Sequence, residues 1–263
     1  MKKQIFTVSF IVSLFLIITG FQSSFTKGMS GYDIMKRQKD WQKANTEFEQ
    51  QTWVLVDKGG NKSKRSVHNW GKETGKDIHR GLLVFLSPSN IKGTSIMTWQ
   101  KKVGDDVQWL YEPANKKVQR LSSGSKSNYF MGTDFIYEDL QSEELEDYNY
   151  KVLKQDKVDG DKCYVVEAKP KSKRNTSYGK RVLWIHASKF YTVKTDFYNL
   201  RGKLIKTQVS RNFKKVSGKK YRPEENIMIN HDKKTKTLVR VDKRVLNKGI
   251  STDFFSERKM QSF

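Results

Sequence analysis

Few side chains in this sequence stand where catalysis would need them. The four histidines, His68, His79, His186 and His231, are scattered, with no HExxH pair and no spacing suited to metal ligation, so each reads as a strand or surface residue. Cys163 is alone, which excludes an internal disulfide, and it lies in the apolar run Lys162 to Val166 as a small buried hydrophobe. The run Gly71 to Asp77 has the glycines and lysine of a phosphate loop, but its spacing is wrong and no Ser or Thr follows the lysine. Gly93-Thr94-Ser95-Ile96-Met97 lacks the last glycine of a nucleophile elbow. The expectation is a protein that is not an enzyme and holds neither cofactor nor metal.

Two other groups of residues carry more information. Acidic pairs recur at Glu138-Asp139, Glu143-Glu144 and Glu146-Asp147 in an otherwise basic chain. They read first as the solvated end of a helix and the loop after it; the functional alternatives are a tether to basic strands or a dock for a basic partner. Large apolar residues are the second group: Trp53, Phe85, Trp99, Trp109, Tyr111, Phe130, Phe135, Tyr137 and Trp184, with Leu140 beside them. Most must be ordinary core, and the remainder are candidates to line a cavity.

The elements that would position them are mostly strands. Gly31 to Phe48 has a moderate amphipathic helical pattern through Ile34, Met35, Trp41, Ala44 and Phe48. Short strands follow at even spacing, beginning with Thr52 to Asp57 and a Gly59-Gly60-Asn61 turn that requires positive φ. Lys64 to Trp70 reads as an exposed, edge-like strand and Gly81 to Leu86 as a buried one stopped at Pro88. Antiparallel strands with tight turns continue to Val245, which indicates a sandwich or barrel and not βαβ units. The centre of the chain breaks this rhythm. After a hairpin from Val107 to Leu121, a Ser/Gly/Lys connector leads into Tyr129 to Leu140, too apolar for a free loop and with Phe135/Ile136 and Leu140 at helical spacing. This segment is read as a hinged helical flap, with Arg120 and Asp134 placed to lock it by a charged hydrogen bond.

Met1-Lys2-Lys3 followed by an apolar run from Ile5 to Ile18 reads as a secretory leader over residues 1–24, with cleavage anywhere between 20 and 28, a retained N-terminal anchor being the competing reading. The run is too short for a comfortable span, and no cysteine near its end allows lipid modification. One soluble domain, 29–263, is then expected in the periplasm. The 263-residue chain carries a net charge of +23, or +21 without Lys2 and Lys3 of the leader. Export argues against nucleic acid, which leaves two readings of that charge: an anionic membrane surface as partner, or a solvated basic face with no partner.

The run DDVQWLYEPANKKVQR, with FMGTDFIYEDL after a polar linker, resembles the LolA-like family of outer-membrane lipoprotein-sorting proteins, in particular its branch associated with RND-type transporters. Similar pieces are Ile34-Met35, Val84 to Pro88 with Gly93-Thr94, Val158-Asp159-Gly160 and Asp253-Phe254-Phe255. The resemblance implies a mainly β fold: a large antiparallel half-open β-barrel with an N-terminal helix inside it and a helical lid over 122–147. It implies a periplasmic carrier of lipid or lipoprotein acyl chains, working between an RND-type inner-membrane transporter and the outer membrane. A non-transporting accessory subunit of such a complex is the alternative. Physical need fits the carrier: exposing an acyl chain of ~16 carbons costs roughly 10–13 kcal/mol at about 0.8 per methylene, so the cargo needs an enclosed apolar site with a cover that yields. The family's release arginine under the lid has three candidates here, Arg65, Arg80 and Arg120.

Overall fold

The computed structural model describes residues 28–75, 78–101, 106–172 and 176–263; the expected leader lies outside them. The first element is helix α1 (Gly31–Gln42), started by Ser30, whose hydroxyl accepts from the Asp33 N–H. It ends six residues earlier than its periodicity suggests: Phe48 belongs to strand β1 (Thr46–Val56), where it lies against His68 and Trp70.

From β1 the chain runs as hairpins through β2 (Lys62–Glu73), β3 (His79–Ser87), β4 (Ser95–Trp99), β5 (Val107–Glu112) and β6 (Lys117–Arg120). After the lid it resumes with β7 (Tyr148–Val158), β8 (Asp161–Pro170), β9 (Tyr178–His186), β10 (Thr192–Asn199) and β11 (Leu204–Arg211). A small separate hairpin, β12 (Lys214–Ser217) with β13 (Lys220–Arg222), precedes β14 (Glu225–Asn230) and β15 (Thr235–Leu246). Thirteen strands form one antiparallel sheet in the order β6-β5-β4-β3-β2-β1-β15-β14-β11-β10-β9-β8-β7, so the sheet stays open, with β6 and β7 at its edges. Pairing of β15 with β1 joins the two halves of the chain through the sheet's centre.

Strand β2 is therefore an interior strand, bonded to both β1 and β3, not the edge its polar residues suggested. Its first residues are exposed and most of the rest half-buried, while Val67 is buried completely. The β1–β2 turn is held by its own acid: the Asp57 carboxylate accepts from the N–H groups of Gly59 and Asn61, and Gly60 takes the φ of +87° that the tight reversal needs.

Both faces of the sheet are covered, which explains strands apolar on both alternations. On β3, Leu83 and Phe85 face the lid, and Leu82 and Val84 face the C-terminal segment, where Phe255 and Met260 of the short helix α2 (Glu257–Met260) and its approach are buried. The lid side is called the inner face below. Helix α1 shares it: Ile34 and Met35 pack on Leu183 and Ile185, which fall on the same face of β9 as Arg181 beneath the lid. Gly31 lets the helix approach β7, since a Cβ there would sit 2.9 Å from Tyr150.

Candidate functional site

The lid is a looped strap with short 3₁₀ turns in place of the regular helix that its spacing suggested. Tyr129 and Ile136 form an isolated bridge, and the Phe130 N–H donates to the Phe135 carbonyl at 2.8 Å. Between them Met131 and Gly132 adopt φ of +49° and +73°, a left-handed pair that no helix contains. The Asp134 N–H donates to Thr237 Oγ1 across the sheet at 2.9 Å instead of to a carbonyl four residues back. A single 3₁₀ turn, Tyr137–Leu140, follows.

One side of the strap is apolar and lies on the inner face. Phe130, Phe135, Ile136 and Tyr137 join Trp53, Val67, Leu83, Phe85, Ile96 and Leu110 in one cluster, with Leu140 at its margin. Phe130 stacks on Phe85 with centroids 5.5 Å apart, and Trp53 meets Phe85 edge-on at 6.0 Å and Phe135 at 5.5 Å. Trp53 keeps its indole N–H satisfied on Gln51 Oε1 at 2.7 Å.

The other contacts are charged and buried. Asp139 accepts from Lys206 Nζ at 2.5 Å, Tyr178 Oη at 2.6 Å and the Ile136 N–H at 2.8 Å. Glu138 accepts from Thr176 and the Ser177 N–H and lies 3.4 Å from Arg181, which also pairs with Glu143. Asp134 accepts from Thr237 at 2.8 Å and from Thr235. Glu138 and Asp139 are thus tethers to basic strands and not the solvated helix end read from sequence. Arg181 and Lys206 are only 3% and 1% exposed. Burial pulls the Lys206 ammonium below its usual range, against the raising effect of Asp139, and burial likewise lowers Arg181. The Tyr178 phenol is pushed upward by burial and then by the neighbouring Asp139 charge.

Arg65, on the inner face of β2, donates to the Met131 carbonyl at 2.6 Å and lies over the Phe85 ring at 5.4 Å. Of the three arginine candidates it is the one with a hydrogen bond to the lid. Arg80 stacks on Trp99 at 4.2 Å, and Arg120 is exposed on the edge strand. The structure does not bring Arg120 to Asp134, whose carboxylate is held by the two threonines of β15.

The aromatic candidates divide by face. Trp53, Phe85, Phe130, Phe135, Tyr137 and Leu140 come together under the lid. Trp99, Trp109 and Tyr111 belong to the outer cluster with Leu82, Val84, Phe255 and Met260, the two tryptophans 5.0 Å apart. On β5, Trp109 and Tyr111 alternate with Gln108 and Leu110, and on β4 Trp99 alternates with Thr98, so they do not share the lid's face. Trp184 is in a further outer cluster with Cys163, Tyr191 and Val193, and its indole donates to Asp156 at 3.2 Å. These four do not line the space beneath the lid.

Two clefts adjoin the strap. One of about 320 Å³ is lined by Trp53, Leu83, Ile96, Phe135, Leu140 and Val239, among polar groups such as Gln51 and Asn226. Another, of about 420 Å³, lies between α1 and the sheet, where Met35, Leu145, Tyr150 and Leu183 stand among glutamines, threonines and charged groups such as Lys39, Glu73 and Lys194; Ser142 and Gln208 border both clefts. Among the described residues no group of three His, Cys, Asp or Glu could hold a metal ion, and no helix is long and apolar enough to cross a membrane.

Comparison with known proteins meets this geometry. A domain from Vibrio parahaemolyticus described as an outer membrane lipoprotein-sorting protein domain is 31% identical, with a TM-score of 0.84, over 88% of this chain and 98% of its own. The chain belongs to the LolA-like outer-membrane lipoprotein-sorting family. A DUF1329 family protein from Desulfovibrio piger is 25% identical with the same TM-score of 0.84 and the same two coverages. A LolA superfamily protein from Nitrosomonas europaea, at 17% identity and a TM-score of 0.71 over 88% of this chain and all of its own, shares the fold. The family model matching residues 77–262 is described as that of an uncharacterized protein. No curated protein matches the chain.

Proposed function

We propose that this LolA-like chain is a periplasmic carrier whose lid yields its place on the inner face to the acyl chains of a lipid or lipid-modified protein. Export by the leader over residues 1–24 belongs to this reading. So does a route from an inner-membrane transporter of the RND type to the outer membrane, with anionic membrane surfaces at its ends. The observation that carries it is the two-sided lid: aromatic side chains fill the hollow while its tethers are charges that water can satisfy once it lifts. The energies are matched. Burial of Phe130, Phe135, Ile136 and Tyr137 is worth roughly 6–12 kcal/mol at 1.5–3 for each large side chain, close to the ~13 kcal/mol from an acyl chain of 16 carbons. A near-balanced exchange lets a partner decide between loading and release.

A locked lid tests it. Hydrogen bonds between Asp134 and Thr237 hold the two residues in contact, so the pair Asp134→Cys and Thr237→Cys is the cross-link chosen to fix the lid there. Oxidised, that variant is expected to exclude a fluorescent fatty acid that the reduced form takes up. Native mass spectrometry of protein purified from its own cells is expected to show co-purifying lipid or acylated peptide. Equal uptake by both forms, with no lipid on the native protein, favours the accessory-subunit reading, for which complete burial of Phe130 in the core speaks.

A further inference from the structure

We infer that the hairpin tips around the lid form a docking face for an anionic bilayer, placing lid opening at the membrane surface; the inference rests on the carrier reading for its purpose but not for its geometry. Strand pairing brings three reversals to one end of the sheet: Val56 faces Lys236, Asn230 faces both Thr235 and Lys206, and the His231 N–H donates to the Ile205 carbonyl. The β1–β2 tip carries Lys58, Lys62 and Lys64, and the β14–β15 tip carries Lys233, Lys234 and Lys236, all exposed. The third tip, between β10 and β11, adds Arg201 and Lys203. The acids at these tips are engaged: Asp57 closes its own turn, and Asp232 pairs with Lys203 at 2.5 Å.

The lid's bend sits within this rim. Gly132, Thr133 and Asp134 share a cleft of about 400 Å³ with Lys62, Lys233 and Lys236, and Lys233 Nζ lies 3.1 Å from the centre of the Tyr129 ring. A second, independent feature selects a bilayer over a free anion or a nucleic acid. Leu200, at the β10–β11 tip beside Arg201, is 51% exposed, the largest exposure among the large hydrophobics of the described residues. An exposed apolar side chain with Arg201 and Lys203 in the same turn fits an interface where headgroups meet acyl chains.

The test is cosedimentation of the protein purified from its own cells, with its natural N-terminus, on phosphatidylcholine vesicles with and without phosphatidylglycerol. Binding is expected only with the anionic lipid and to weaken as salt rises. The triple variant Lys58→Glu/Lys64→Glu/Lys234→Glu, at exposed tip lysines that do not touch the lid, is expected to bind roughly a hundredfold more weakly, at about fivefold for each cation lost. Lys157→Glu/Lys162→Glu/Lys215→Glu, the same charge change at exposed positions away from these tips, is expected to keep most of the binding. Leu200→Ser is expected to reduce vesicle binding while leaving the charge-driven binding of single-stranded DNA unchanged. Equal losses in the two triple variants, or no effect of Leu200→Ser, overturn the proposal. Uptake of a fluorescent fatty acid, measured without vesicles, should be unaltered in the rim variants. Failed uptake with intact vesicle docking sinks the carrier reading alone, and uptake without docking sinks this inference alone.

Discussion

Lys206 and Asp139 form a buried pair whose separate halves are costly. Removing one partner from such a pair strands the other charge away from water, typically at 3–5 kcal/mol. Lys206→Met is therefore expected to lower the unfolding free energy measured in urea by about that amount, and Lys206→Met/Asp139→Asn to recover more than half of it, because the amide oxygen can still accept from the Ile136 N–H while its NH2 group donates to the Tyr178 hydroxyl. A double variant as weak as the single one would show that the charge pair itself holds the sheet together. His186 makes a pH prediction with a definite sign. Its ring is buried, Nδ1 accepts from the N–H groups of Ser188 and Lys189, and desolvation lowers its pKa below the ordinary 6.5. The unfolded chain then binds the proton first, so the stabilising contribution is complete above pH 6.5 and declines as the pH falls below it. Unfolding free energy measured from pH 7.5 to 5 is expected to fall less steeply in His186→Gln; parallel slopes would rule the ring out.

At the scale of elements, the lid should open as a unit below the free energy of global unfolding. Arg65 contributes a hydrogen bond to the Met131 carbonyl, and Gly132 supplies the left-handed bend. Arg65→Ala and Gly132→Ala, the latter costing ~1–2 kcal/mol of backbone strain, are expected to speed amide exchange at Phe130 and Thr133. Exchange along the β1–β15 pairing should stay as slow as in the unaltered protein. Uniform acceleration across the sheet would mean that the lid has no opening of its own. The mixed polar and apolar composition of 129–140 is consistent with such a part, since its aromatic side needs the sheet and its carboxylates need cations from other strands.

For the molecule as a whole, the C-terminal segment closes the outer face as the lid closes the inner one. Phe255 and Met260 are buried against Leu82, Val84 and Met97, with Trp99 and Trp109 at the margin. Deleting residues 249–263 is expected to destabilise the protein by several kcal/mol, at 1.5–3 for each large side chain uncovered. It should also shift tryptophan emission to the red. Unchanged emission would place those tryptophans outside this packing.

Much of this design is legible in local pattern. Alternating strands, the Asp57–Asn61 and Asp159–Gly160 turns, the helix around Ile34 and Met35, and the apolar strap after Asn128 follow from side-chain periodicity and turn chemistry, which depend on neighbours in sequence. Which aromatic faces which layer was half legible: the alternation of Trp109 with Leu110 separates them, but only the packed lid says which side is inner. The tethers were not legible. Lys206 lies between Ile205 and Thr207 with nothing local to mark it, and it reaches Asp139 across 67 residues. Arg65 reads as one more cation of a polar strand until β2 takes its interior place beside β3. A buried charge is chosen by its distant partner and by the loss of water around both, and those conditions exist only once the sheet has assembled.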